Sequence, residues 1–302
     1  MQKFLLKDIF TILQKTFKEL GSNDPLRMAA ATSFFTSFAL PPILVIIIQT
    51  LSLVFNRRNI SRQLLQRLES VVGTQSVDQI IETLKGFREL AENWYIAIGG
   101  FVFLVFVATT LFKIIKSSIN QIWKVRVEER RSFKFRLTAR LYSLVAILLA
   151  GILFLASLLA DGAQALLGNY LNEISPVMAG YLNSALNYVA SIVIVTIWFA
   201  VLFRYLPDGR PVWRIAITGA FVTSLLFQVG RIFLRWLLSY SNIDTLYGAS
   251  GSLVLLLLFV FYSSMILYFG AAFTKVYADY RNKSIAPLPH AVRYHMVKLD
   301  IE

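Results

Sequence analysis

The chain has no cysteine and only two histidines in 302 residues. The first absence excludes disulfides, thiol catalysis, iron–sulfur clusters and lipid anchors on cysteine. The second leaves little for a zinc motif. His290 and His295 both lie near the C-terminal end, form no H-E-x-x-H pattern and have no acidic cluster beside them. No P-loop and no dinucleotide fingerprint occurs. Charge is sparse at 16%, against about 25% in an average soluble chain. Carboxylates are the scarcer sign, 17 against 30 Lys and Arg, for a net charge of +13. A secretory leader is not read at the N-terminus, because Lys7, Asp8, Lys15, Lys18 and Glu19 interrupt its apolar positions. These absences leave no catalytic residue, no metal site and no cofactor to assign, and the chain does not read as an enzyme.

What is present is hydrophobic: 57% of residues, with a mean hydropathy of +0.63. The excess is gathered into runs long enough to cross a bilayer, which takes about 20 residues. The pattern predicts an all-α polytopic membrane protein with six transmembrane helices, over residues 28–55, 94–115, 141–167, 184–205, 213–240 and 251–278. Pro41 and Pro42 interrupt the first and predict a kink. Residues 4–20 place Leu6, Ile9, Phe10, Leu13, Phe17 and Leu20 at helical spacing against Lys7, Lys15 and Lys18. This reads as an amphipathic helix, on the membrane surface or against cytoplasmic loops. Residues 56–93 carry two further amphipathic stretches divided at Gly73, expected to form a small extracytoplasmic cap that gates an opening or packs on the bundle. Residues 1–283 thus form one membrane domain, and 284–302 a cytoplasmic tail.

Orientation follows from the basic residues. With the N-terminus inside, the inner segments collect the run from Lys113 to Arg140, then Arg204, Arg210, Arg214, Lys275, Arg281 and Lys283. The outer loops 168–183 and 241–250 contain no Lys or Arg; only 56–93 departs, with six basic residues. Both termini are therefore expected in the cytoplasm. The positive excess is a topology signal, helped by anionic headgroups, and not a nucleic-acid footprint: the run 124–140 has only Phe133 and Phe135 for base stacking.

Two arginines, Arg231 and Arg235, stand inside the fifth apolar run. A charge at membrane depth costs at least about 2.5 kcal/mol, so the pair requires a role. Four residues apart, they share a helix face with Gln228 and Ser224. Arg231 lies ~27 Å along the helix from Trp213, in the outer half. Asp161 and Gln164 of the third span, and Asn187 with Asn183 and Ser191 of the fourth, are expected at a similar depth. Two readings stay open. One is a polar cavity lined by Arg231, Arg235, Asp161, Gln164, Asn187 and Gln228, suited to a phosphate, a carboxylate or a lipid headgroup. The other is a structural ion pair of Asp161 with Arg231, and an Arg235 that snorkels to the headgroups. Small residues (Ala29, Ser33 and Ser37; Gly248, Ala249 and Gly251; Gly270, Ala271 and Ala272) read as close helix packing, and Ser263 and Ser264 as packing hydroxyls without a base.

Several runs stand out: Met28–Ile43 (MAAATSFFTSFALPPI), Ile119–Trp123 (INQIW), Arg204–Pro207 (RYLP) with Val212–Arg214 (VWR) and Gly219–Ala220, Tyr247–Ser252 (YGASGS), and Phe269–Thr274 (FGAAFT). In order and spacing they resemble the signatures of the YihY/BrkB family. The match covers nearly the whole chain. The resemblance implies a six-helix protein of the bacterial inner membrane. Members have carried a ribonuclease label, for which this sequence supplies no metal-binding carboxylates and no catalytic histidine; others are linked to serum resistance or envelope lipid export. The family-level expectation is a transporter or flippase of an anionic amphiphile, with membrane lipids as partners and a homo-oligomer possible. The alternative is a non-catalytic envelope scaffold. The family commonly has Gly-Ala-Glu where this chain has Gly270, Ala271 and Ala272. Asp279, two turns on, is a weak substitute for that carboxylate.

Overall fold

The computed structural model describes residues 6–53, 56–72, 94–127, 176–240 and 251–294, with a few positions between them. The helices are α1 (Leu6–Gly21), α2 (Pro25–Leu51), α3 (Arg57–Val72), α4 (Trp94–Ile122), α5 (Pro176–Tyr205), α6 (Trp213–Tyr240) and α7 (Gly251–Tyr280). Four short strands complete them: β1 (Val125–Val127), β2 (Gly209–Arg210), β3 (Ala286–Pro287) and β4 (Ala291–Arg293). Among the described residues three stretches are long and apolar enough to cross a membrane, in α5, α6 and α7, and α2 makes a fourth if its two limbs count as one span. Those limbs, Pro25–Pro41 and Ile43–Leu51, meet at 41°, where the consecutive prolines remove backbone donors and crowd the preceding turn.

Helix α7 is central, with α1, α2, α4 and α6 all packed on it. Its composition permits this: Tyr268, Ala271, Ala272, Thr274 and Ala278 are fully buried. In apolar surroundings helices associate through close packing and interhelical hydrogen bonds rather than by shedding water. Both devices recur here. A methyl group at Gly219 of α6 would overlap the Thr274 hydroxyl of α7, and one at Gly270 of α7 would overlap the Thr223 hydroxyl of α6. The two Gly-x-x-x-Thr turns therefore interlock reciprocally. Each threonine hydroxyl donates back to its own glycine's carbonyl, at 2.7 Å in both cases, so no donor is stranded. The α2–α7 contact uses hydroxyls: Thr32 Oγ1 meets Tyr268 OH at 2.5 Å, and Ser33 Oγ donates to the Leu257 carbonyl at 2.8 Å.

The strands lie together at one end of the bundle, called here the sheet end. β1 pairs with β4 and β2 with β3, both antiparallel. The all-helical expectation did not include them. They bring the segment after α7 back onto the loops that follow α4 and α5. Helix α1 packs on α7 at the same end, burying Ile12, Thr16 and Leu20, with the Phe17 ring edge-on to Phe269 at 5.0 Å. Ile9, Phe10 and Phe17 nevertheless remain largely exposed. Helix α3, the described half of the expected cap, packs on α2: Ile60 and Leu64 are buried against Leu44, Ile47 and Leu51.

Candidate functional site

Helices α5 and α6 run antiparallel along each other, and their contact is a polar seam. Thr196 Oγ1 meets Ser224 Oγ at 2.8 Å; one turn along, Gln228 Nε2 donates to Ser191 Oγ at 2.6 Å. Periodicity explains the alignment. Ser191 and position 187 share a face of α5, as Ser224, Gln228 and Arg231 do of α6. One further turn of this register brings position 187 level with position 231. Arg231 is half-buried. Of the residues read from the sequence as a site, the structure thus joins Gln228 to the α5 face that carries Asn187, with Arg231 and Arg235 next on α6. The side chains of Asn187 and Arg235 lie outside the described residues, as do Asp161 and Gln164 altogether, and with them the expected Asp161–Arg231 pair.

The structure adds two groups from α7. Gly230 lets the Tyr262 ring come close to α6, since a methyl group there would meet Tyr262 Cε2 at 2.8 Å. This sets the phenol within electrostatic reach of Arg231. Tyr262 OH, the neighbouring Ser263 Oγ and Gln228 Oε1 are buried with no hydrogen-bond partner. An unmet buried polar atom costs about 1–3 kcal/mol. Tyr262 was missed because its meaning depends on Gly230, 32 positions earlier; an aromatic inside an apolar run carries no such signal.

A second polar cluster lies at the sheet end and was not foreseen. Asp208 is 1% exposed. Its Oδ1 meets Lys116 Nζ and His290 Nε2, each at 2.8 Å, and its Oδ2 accepts from Asn120 Nδ2 at 2.7 Å. Its backbone N–H donates to Asn120 Oδ1, and its carbonyl accepts from the Leu288 N–H, both at 2.8 Å. Burial pushes the carboxyl up, but Lys116, His290 and Asn120 outweigh it and hold the group below the ordinary carboxylate range. Beside it Trp123 Nε1 donates to the Ala271 carbonyl at 2.9 Å, and Lys275 Nζ meets Glu19 Oε1 at 2.6 Å. These bonds fasten α4, the α5–α6 turn, α7 and the C-terminal strands together. They join the INQIW, RYLP and FGAAFT runs in one place. His290, read as a tail residue, is part of this clamp.

Ala272, where the sequence resemblance implies a carboxylate in relatives, is fully buried in α7. Asp279 is exposed at the helix end, beside a groove that also holds Lys15, Lys18 and Glu19. It does not occupy the interior position that a glutamate at 272 would. Among the described residues no group of three or more His, Cys, Asp or Glu could hold a metal ion.

Apolar helices of membrane-crossing length, packed through small residues and interhelical hydroxyls, define a helical integral membrane protein. The chain belongs to the virulence factor BrkB family, whose model matches residues 16–295. Relatives include UPF0761 membrane proteins from Saccharophagus degradans (25% identical over 276 residues, 91% of this chain and 61% of the relative). Others come from Pseudomonas paraeruginosa (29% over 254 residues, 80% and 57%) and Neisseria meningitidis serogroup C (25% over 260 residues, 85% and 60%). The chain spans about 60% of the length of these relatives. Their names state a membrane placement and no reaction. No solved structure matches.

Proposed function

We propose that the protein binds and moves an anionic amphiphile, and that its site is the polar interior around Gln228, Tyr262 and Arg231. The carrying observation is the group of three buried side-chain oxygens without partners, Gln228 Oε1, Tyr262 OH and Ser263 Oγ, on two helices whose contact brings Tyr262 beside Arg231. Water or a ligand's polar groups would meet them. Arg231 and Arg235, on the same helix face, supply charge suited to a phosphate or carboxylate. In this reading six spans cross the bacterial inner membrane with both termini cytoplasmic, as the basic residues at the sheet end support. The sheet end then faces the cytoplasm, and the Arg231 region lies in the outer half.

The test is binding and translocation of an anionic phospholipid in liposomes, comparing the wild type with Arg231→Ala plus Arg235→Ala, and with Gln228→Leu. Both variants are expected to lose most of the activity while eluting as the wild type does in detergent. Undiminished translocation in both would overturn the assignment and favour the envelope-scaffold reading.

A further inference from the structure

We propose that a groove at the sheet end, between the start of α6 and the end of α7, is a separate binding site for the headgroup of an anionic phospholipid. The proposal rests on the membrane placement alone, not on the Arg231 region. The groove encloses about 560 Å³ and is lined by Arg214, Arg281 and Lys283 together with Thr218 and Tyr277. Among the described residues no carboxylate lines it. Asp8 approaches Tyr280 at the edge and offsets at most one of the three charges.

Local structure explains why three cations converge. Helix α7 ends with Asn282 in the left-handed region, at φ 53°. The Lys283 N–H then bonds the Ala278 carbonyl at 2.9 Å, and the Asn282 N–H the Asp279 carbonyl at 3.0 Å. This reversal closes the helix and sets Arg281 and Lys283 at one mouth. Arg281 lies over the Tyr277 ring, 5.8 Å from its centroid. A helix C-terminus favours such cations, so these two have a partial explanation within the fold. Arg214 has none. It is the second residue of α6, at the positive end of that helix dipole, where a cation is disfavoured. Neither Arg214 nor Lys283 makes an ion pair with a described residue. Arg214, against a helix N-terminus, and Lys283 thus stand on one groove without an ion-pair partner among the described residues, and leave it positive.

The surroundings identify which anion. From the groove's mouth an exposed apolar stripe climbs α6 at steps of four: Trp213, Ile217, Phe221, Leu225 and Val229. It extends for ~24 Å at the helical rise, close to the depth of a bilayer's hydrocarbon core. A soluble phosphate has no use for such a surface, whereas an acyl chain does. A lipid with its phosphate between Arg214 and Lys283 would lay its chains along this stripe.

The absence of cysteine gives a clean test. The full chain with Thr218→Cys, carrying a benzophenone maleimide, is placed in nanodiscs of mixed phosphatidylglycerol and phosphatidylcholine, and photo-crosslinked lipid is identified by mass spectrometry. Phosphatidylglycerol should be captured well above its mole fraction. Arg214→Gln and Lys283→Gln should each lower that preference by about fivefold, the effect of one basic residue near an anionic surface. Arg231→Ala plus Arg235→Ala should leave it unchanged, which separates this site from the one proposed above. Capture in proportion to mole fraction in the wild type, a measurement that needs no charge variant, would overturn the proposal. So would a preference that survives loss of both cations, or competition by inorganic phosphate as strong as by the lipid.

Discussion

At the sheet end the buried polar side chains close into networks. Every oxygen of Asp208 has a partner, and Glu19, Lys275, Lys124 and Asn23 form a second linked group. Farther along α6 and α7, Gln228 Oε1, Tyr262 OH and Ser263 Oγ are just as thoroughly buried and have none. Both regions belong to one helical bundle and bring polar side chains together from separate chain segments. What separates them is satisfaction. A carboxylate surrounded by donors fixes the relative placement of three chain segments and has nothing left to offer a ligand. An amide oxygen and two hydroxyls left open retain that capacity, at a cost in stability. Closure marks the scaffold and open valence marks the candidate site.

The comparison is broken most severely at Asp208. Asp208→Ala strands Lys116 and removes the carboxylate's bonds to Asn120 and His290, leaving only the backbone N–H bond to Asn120 Oδ1. Losing one member of a buried pair costs about 3–5 kcal/mol. The low end is expected here, because the Lys116 side chain is 27% exposed and can reach water. Thermal unfolding in detergent measures it. The same carboxylate gives the sheet end an acid limit. Its pKa is lower in the folded chain than in the unfolded one. Its share of stability is therefore complete above the unfolded carboxylate value, near 3.9, and is lost as pH falls through that value toward the folded one. Asp208→Asn should flatten that limb of the melting curve. A limb unchanged in the variant would mean that other carboxylates set it.

The helix contact that joins the two regions is tested next. Gly270→Ala drives a methyl group into Thr223, and overpacking of this kind costs about 1–3 kcal/mol. Thr223→Ala in the same chain removes the obstacle and should return most of the loss. A double-mutant cycle on melting temperatures reads the coupling. Additive losses would show that the two residues do not share the contact.

The helices were legible in the sequence to the extent that lipid requires apolar length. The run 213–240 and the helix Trp213–Tyr240 coincide, and 251–278 falls two residues short of Gly251–Tyr280. Legibility failed where a helix continues beyond the apolar run. The span read as 94–115 extends to Ile122, because Lys116 and Asn120 are held by Asp208. That support comes from a residue 88 positions away, and no local periodicity announces it. The four strands fail for the same reason: each is two or three residues long and exists only through its partner. On the candidate site, helical spacing puts Gln228 and Arg231, three apart, on one face of α6 and residues 187 and 191 on one face of α5; that Gln228 reaches Ser191 is read from the structure alone. Spacing could not find Tyr262, whose role requires the α6–α7 contact at Gly230.

The smallest stability effect expected is also the most discriminating. Gln228→Leu removes one interhelical hydrogen bond, and such bonds average about 0.6 kcal/mol in a membrane protein. It also removes an unmet buried oxygen whose burial is itself costly. The two nearly cancel, so melting should shift little, or upward. If the orphaned oxygen is there for a ligand, lipid binding should nevertheless fall. A stability neutral to the change together with weakened binding would separate the two regions as the comparison requires: the sheet end loses stability when its polar groups are removed, and the Gln228 region loses function. A clear loss of stability in Gln228→Leu, with binding untouched, would place Gln228 with the scaffold instead.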